Sequence, residues 1–231
     1  MKRSFVIPAV LAIITMFLVS PVAAATSQGL EWGVATGDRF DYTMTSTEED
    51  VPSEDIYINI TATSSDAIPD PLADWTNIPE HDLGFWWANG TSMGLSTIIF
   101  LGVYFVGGKF ALPTGNWTLI QDLLETEISD EDYISDANLW GVEWSQTENA
   151  THEFRITATY SKSDGFLAEY KLETWDTSED TIVSSIEVTR EGLPAGGGGL
   201  DDIIQLLEDN ILYVGIGIAV LVVLGIACKR R

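Results

Sequence analysis

Phe154-Arg155-Ile156-Thr157-Ala158-Thr159-Tyr160, the turn Lys162-Ser163-Asp164-Gly165 and the run 166–175 that follows decide how this chain folds. Phe154, Ile156, Ala158 and Tyr160 alternate with Arg155, Thr157 and Thr159, the two-residue period of a strand buried on one face. Lys162 to Gly165 supplies turn chemistry, with Gly165 free to take a positive φ. A second strand follows over 166–175, a turn over 176–180, and a third strand over 181–190 with Ile182, Ile186 and Val188 on one face. Three strands joined by short turns make a β-meander, so the sequence predicts an antiparallel sheet.

Toward the N-terminus, 39–45 places Phe40, Tyr42 and Met44 on one face, and 56–62 does the same with Ile56, Ile58 and Ile60. Pro69, Pro71 and Pro79 punctuate a loop between these strands and the apolar run 95–106. That run is too short to span a bilayer and is expected to form a buried strand pair or a core helix. Over 116–128, Leu119, Ile120, Leu123, Leu124 and Ile128 recur at helical spacing, with Asn116 as the N-cap. A second amphipathic segment covers 200–210, with Ile203, Ile204, Leu206 and Leu207 as its apolar residues. The expected fold class is α+β: a mainly antiparallel β-sheet (meander) ectodomain with one or two packed helices, plus a C-terminal transmembrane helix.

The two ends of the chain set its address. Lys2 and Arg3, an apolar stretch over 5–19, Pro21 and Ala23-Ala24-Ala25 have the order of a secretory signal peptide, with cleavage expected after Ala25. Residues 211–228 carry no charged side chain, and 18 residues at about 1.5 Å each match the hydrocarbon thickness. Lys229, Arg230 and Arg231 follow at once and are expected to stay on the cytoplasmic side. The organisation reads as signal peptide 1–25, β-rich ectodomain 26–190, glycine-rich linker and juxtamembrane helix 191–210, membrane span 211–228 and cytoplasmic tail 229–231.

All 35 acidic residues lie in 26–210, against six basic ones there, a net charge of −29. A surface of that sign repels phosphate backbones, which excludes nucleic-acid binding, and it keeps a domain soluble in salty surroundings. The single cysteine, Cys228, sits at the inner end of the span, so the ectodomain holds no disulfide, a pattern expected of a microbial surface protein. Four sequons fit an outside location: Asn59-Ile60-Thr61, Asn89-Gly90-Thr91, Asn116-Trp117-Thr118 and Asn149-Ala150-Thr151. Within the span, Gly215 and Ala219 are four apart, which allows a weak homodimer.

The piece from Trp32-Gly33 to Asp38-Arg39-Phe40-Asp41-Tyr42, with Pro113-Thr114-Gly115-Asn116-Trp117 and the stretch from Tyr160-Ser161-Lys162 to Gly165-Phe166-Leu167, resembles local patterns in uncharacterised secreted proteins of archaea. The resemblance covers about a quarter of the chain. It implies an archaeal cell-surface β-rich domain and transfers no site residues.

Gly-x-Ser-x-Gly, P-loop, dinucleotide and His-Glu-x-x-His motifs are absent from the sequence. His152-Glu153 with Glu143 is a candidate acid/base group, and the expectation is a strand start beside solvent. Asp130, Asp132 and Asp136 are the candidate calcium ligands, since hard cations favour several nearby oxygens, although the spacing departs from the EF-hand and a solvated loop competes. Among eight tryptophans, Trp86-Trp87 is the candidate aromatic pair for stacking on a sugar or filling a partner's pocket. A cavity for a lipid tail under a curved sheet is a further use of the apolar residues. These readings favour a noncatalytic surface module that binds a ligand, glycan, lipid or protein, or serves the envelope. The alternative is a surface hydrolase that uses carboxylates or a loosely bound divalent cation.

Overall fold

A computed structural model describes residues 25–47, 53–64, 67–128 and 131–193. Eight strands form one sheet: β1 (Arg39–Ser46), β2 (Glu54–Ala62), β3 (Asp82–Trp87), β4 (Glu131–Ser135), β5 (Leu139–Thr147), β6 (His152–Ser161), β7 (Leu167–Asp176) and β8 (Thr181–Arg190). Their order is β3-β2-β1-β8-β7-β6-β5-β4, with antiparallel pairing throughout. The meander β6-β7-β8 runs over the expected ranges, but a register shift at Thr174/Trp175 pairs Ile182 with Trp175 and leaves it exposed, so it does not share the buried face of Ile186 and Val188 as the alternation implied. Closure of β1 against β8, with Met44 opposite Val188, joins the two halves of the chain into one sheet. The protein is therefore α+β with the sheet dominant.

One sheet face is packed. Tyr42, Met44, Ile56, Ile58, Trp140, Val142, Ile156, Tyr160, Tyr170 and Val188 are buried on it. Residues 26–36, 67–81 and 94–128 cross this face and contribute Leu30, Leu72, Trp75, Ile78, Leu112, Ile120 and Leu124 to the same core. Two tyrosines pin the cover to the sheet: Tyr160 donates its hydroxyl to the Lys109 carbonyl at 2.6 Å and Tyr170 donates to that of Ile99 at 3.0 Å. Burial pushes both phenols above the ordinary tyrosine range, so they remain protonated donors. Gly165, at φ 75°, turns β6 into β7, and a Cβ there would meet the Leu112 carbonyl oxygen at 1.9 Å. The glycine thus serves both the turn and the close passage of the cover.

Helix α1 spans Trp117–Leu124, and the Asn116 side chain accepts from the Leu119 N–H, as the capping chemistry requires. The helix is shorter than the apolar spacing implied; turns carry the chain on to Ile128, which packs against the core. Strands β3, β4 and β5 had no counterpart among the expected elements. The amphipathic segment 200–210 and the span 211–228 lie outside the described residues. Among the described residues no helix is long and apolar enough to cross a membrane.

The run 95–106 departs most from expectation. It is neither a strand pair nor an α-helix but a 3-10 helix over Gly94–Val106, and it is buried along one side only. A 3-10 helix has 3.0 residues per turn, so side chains three apart stack in straight rows. One row, Phe100, Val103 and Val106, enters the core. Another, Leu95, Ile98, Leu101 and Tyr104, faces away from it, 95, 65, 54 and 72 % exposed, with Phe105 beside it at 52 %. Wound as an α-helix at about 100° per residue, Leu95 and Tyr104 would point to opposite sides. The tighter winding is what gathers the apolar row.

Candidate functional site

The other sheet face is open and mostly polar. Down its middle, Lys171 pairs with Glu169 at 2.9 Å and Glu187 at 3.7 Å, and Arg155 pairs with Glu153 at 2.6 Å while lying over the Trp175 ring. The Lys171–Glu187 pair is cross-strand and the other two join residues two apart on one strand; together they offset the like charges that so acidic a sheet brings together. Toward β3, Arg39 lies 3.7 Å over the Tyr57 ring, and Tyr57 is stacked with Trp86 at 6.3 Å.

Strand alternation separates the candidate aromatic pair. Trp86 lies on the open face, its indole N–H against the bare backbone of Gly84 and without an acceptor among the described residues. Trp87 turns to the other side and packs against the core. Neighbours in a strand cannot form one platform, since successive side chains point to opposite faces.

The acidic candidates are spread along an edge hairpin. Asp130 lies outside the described residues. Asp132 stands on β4 opposite Glu143, and Asp136 closes the β4–β5 turn by accepting from the N–H groups of Asn138 and Leu139, each at 2.7 Å. Four residues of strand put about 13 Å between the Asp132 and Asp136 backbones. Among the described residues no three His, Cys, Asp or Glu side chains form a metal-sized cluster.

His152 opens β6, its Nδ1 2.9 Å from Thr151 Oγ1. Glu143 is engaged elsewhere, accepting from the Thr157 hydroxyl at 3.3 Å. Five residues of strand separate Thr157 from His152, so these two groups are not brought together.

The four sequons differ in kind. Asn89 and Asn149 sit in exposed turns, where each side-chain oxygen accepts from the N–H and hydroxyl of the threonine two residues on. In both, the side-chain oxygen is engaged by the turn itself. Asn116 has both ends occupied: its oxygen caps α1 and its nitrogen donates to the Gln28 carbonyl at 2.9 Å. Asn59 lies on the open face between Arg39 and Gly84, with its oxygen buried.

Two surfaces were not visible to motif reading. A cleft of about 390 Å³ opens on the open face between Ile134, Leu139, Ala168, Lys171, Thr189 and Leu193. Leu193, the last described residue, lines it. The second is the apolar row of the 3-10 helix. Phe105 stacks on Trp144 at 5.0 Å, and Gly102 lets the helix backbone lie against Tyr170 and Leu172. Beneath it, Phe85, Phe100 and Phe110 meet edge-on and tilted at 5.3–5.6 Å. The row is thus a firmly seated ridge. Its signal in the sequence was the absence of charge: residues 83–108 contain no Asp, Glu, Lys, Arg or His.

Comparison with known proteins found no matching family model, curated protein or solved structure.

Proposed function

We propose that this chain is a noncatalytic contact module held at a cell surface: exported by the signal at 1–25, anchored by the span at 211–228, and facing outward with its acidic domain. The observation that carries the contact role is the exposed row Leu95, Ile98, Leu101 and Tyr104 with Phe105. Five large apolar side chains held in water by a rigid seat make a patch on the order of 500 Å², the size that marks an interaction site on a monomer. A domain with a net charge of −29 has no need of such a patch for solubility. The export reading draws support from the first residues of the domain. Ser27 donates its backbone N–H to Asp70 at 2.8 Å, and Gln28 exchanges two hydrogen bonds with the Leu72 backbone, so structural roles begin directly after the proposed cleavage site.

Protease added to intact cells is expected to remove the domain and leave a small protected tail; protection of the whole domain would overturn the topology. For the contact role, Ile98→Cys and Ser178→Cys are compared in a Cys228→Ser background by maleimide labelling of intact cells. Position 98 is expected to label several-fold more slowly than position 178, with the difference erased by denaturant. Equal rates would show that nothing covers the ridge.

A further inference from the structure

We infer that the ridge Leu95, Ile98, Leu101, Tyr104 and Phe105 docks into the interface of the lipid bilayer that anchors the chain, so that the domain lies on its membrane rather than standing clear of it. This rests on the anchored reading above and names what the contact surface touches.

Shape, chemistry and tethering point the same way. The surface is a row about 18 Å long, nine residue steps from Leu95 to Tyr104 at about 2.0 Å each. An exposed apolar row suits a soft, apolar medium; the charged side chains that border it, Glu80, Lys109 and Glu127, gather at its Tyr104 end, whereas a protein partner is met by a packed patch with hydrogen-bonding groups around it. Aliphatic Leu95, Ile98 and Leu101 precede Tyr104, whose ring carries a polar tip, the composition that settles at the boundary of headgroups and acyl chains. The 26 charge-free residues 83–108 matter equally. In a domain this acidic, only a neutral stretch can approach phosphate groups without repulsion.

A second copy fits less well. Five ridge residues a side are far short of the roughly 20–30 that a stable interface uses. The leash favours lipid: eighteen steps of chain from Leu193 to residue 211 reach at most about 60 Å. Within that radius the bilayer is always present, and even weak insertion is sustained by the high effective concentration. Insertion of an apolar face about 5–10 Å deep needs no pocket and no rearrangement of the seat.

The test uses the full chain in the Cys228→Ser background, reconstituted into phosphatidylcholine vesicles with the domain outside. Leu95→Cys, Ile98→Cys and, as a control on the β7–β8 turn, Thr177→Cys each carry an environment-sensitive fluorophore, and the vesicles carry a nitroxide on the lipid chain near the headgroup. Quenching at 95 and 98 is expected to exceed that at 177 several-fold. Leu101→Asp with Tyr104→Asp, both on the exposed side, is expected to bring position 95 down to the control level while the melting curve holds. Extraction at alkaline pH reports separately on the anchor. Release of the chain overturns the anchored reading and this proposal with it. Retention with equal quenching at 95 and 177 overturns the docking alone, and cross-linking between two copies at position 98 with no quenching reassigns the ridge to a second copy of the chain.

Discussion

Gly102→Ala tests how the ridge is seated. A Cβ at this position would stand 2.2 Å from the Tyr170 hydroxyl oxygen and 2.8 Å from Leu172 Cδ2. The leucine methyl can swing aside. The phenol cannot, because its ring is buried and its hydroxyl donates to the Ile99 carbonyl at 3.0 Å, in the very helix that would have to rise. Overpacking of this kind costs about 1–3 kcal/mol. Loss of the hydrogen bond adds about 1 kcal/mol. Gly102 has no positive φ, so alanine recovers about 1 kcal/mol of helix preference. The balance is a destabilisation of about 1–3 kcal/mol, or about 2–4 °C of melting temperature for each kcal/mol in a domain of this size. Urea unfolding of the detergent-solubilised chain, followed by tryptophan fluorescence, measures it. The mechanism is checked by a cycle with Tyr170→Phe, which removes the clashing atom. Gly102→Ala should cost about 1–2 kcal/mol less in that background. A neutral Gly102→Ala, or strict additivity of the two changes, would refute the reasoning.

His81 accepts from the Ser64 N–H through Nδ1 at 2.9 Å and packs against Trp32, and burial lowers its pKa below the ordinary histidine value. The folded state therefore binds this proton less readily than the unfolded chain, so stability is full above about pH 6.5 and falls as pH drops below it, by at most about 1.4 kcal/mol per pH unit; His81→Gln should flatten this part of a melting-temperature profile. If the host glycosylates folded chains, mass spectrometry of peptides should find glycan at Asn89 and Asn149 and bare side chains at Asn116 and Asn59. Asn116→Ala should cost about 1 kcal/mol through the lost cap, with more from the Gln28 bond, whereas Asn149→Ala should cost less, as read by thermal melting. Calcium bound through Asp132 and Asp136 would raise the melting temperature with the logarithm of its concentration above Kd, and the spread of these side chains along an edge hairpin predicts no rise.

Alternation of apolar and polar residues is a local signal, and the buried face of the sheet was legible from it. Phe154 to Tyr160, Phe40 to Met44 and Ile56 to Ile60 each state which side is buried, and Gly165 and Asn116 announce a turn and a cap through their own backbone and side-chain chemistry. Strand β5 carried the same signal in Trp140, Val142 and Trp144, but Gly141 and the neighbouring acidic residues blurred it. Which strands pair was not local: β1 meets β8 across 140–148 residues, from Ser46 opposite Ile186 to Tyr42 opposite Arg190, and only the shared core decides that. The separation of Trp86 from Trp87 and the unequal fates of the four sequons also follow from tertiary placement. The ridge shows the difference most clearly. Apolar residues over 95–106 read as core because hydropathy records what a side chain prefers, not whether the fold has room for it. With the packed face filled by Tyr160, Tyr170, Phe100 and Val103, the sheet could accept one row of the helix, and the three-residue winding left the other row outside.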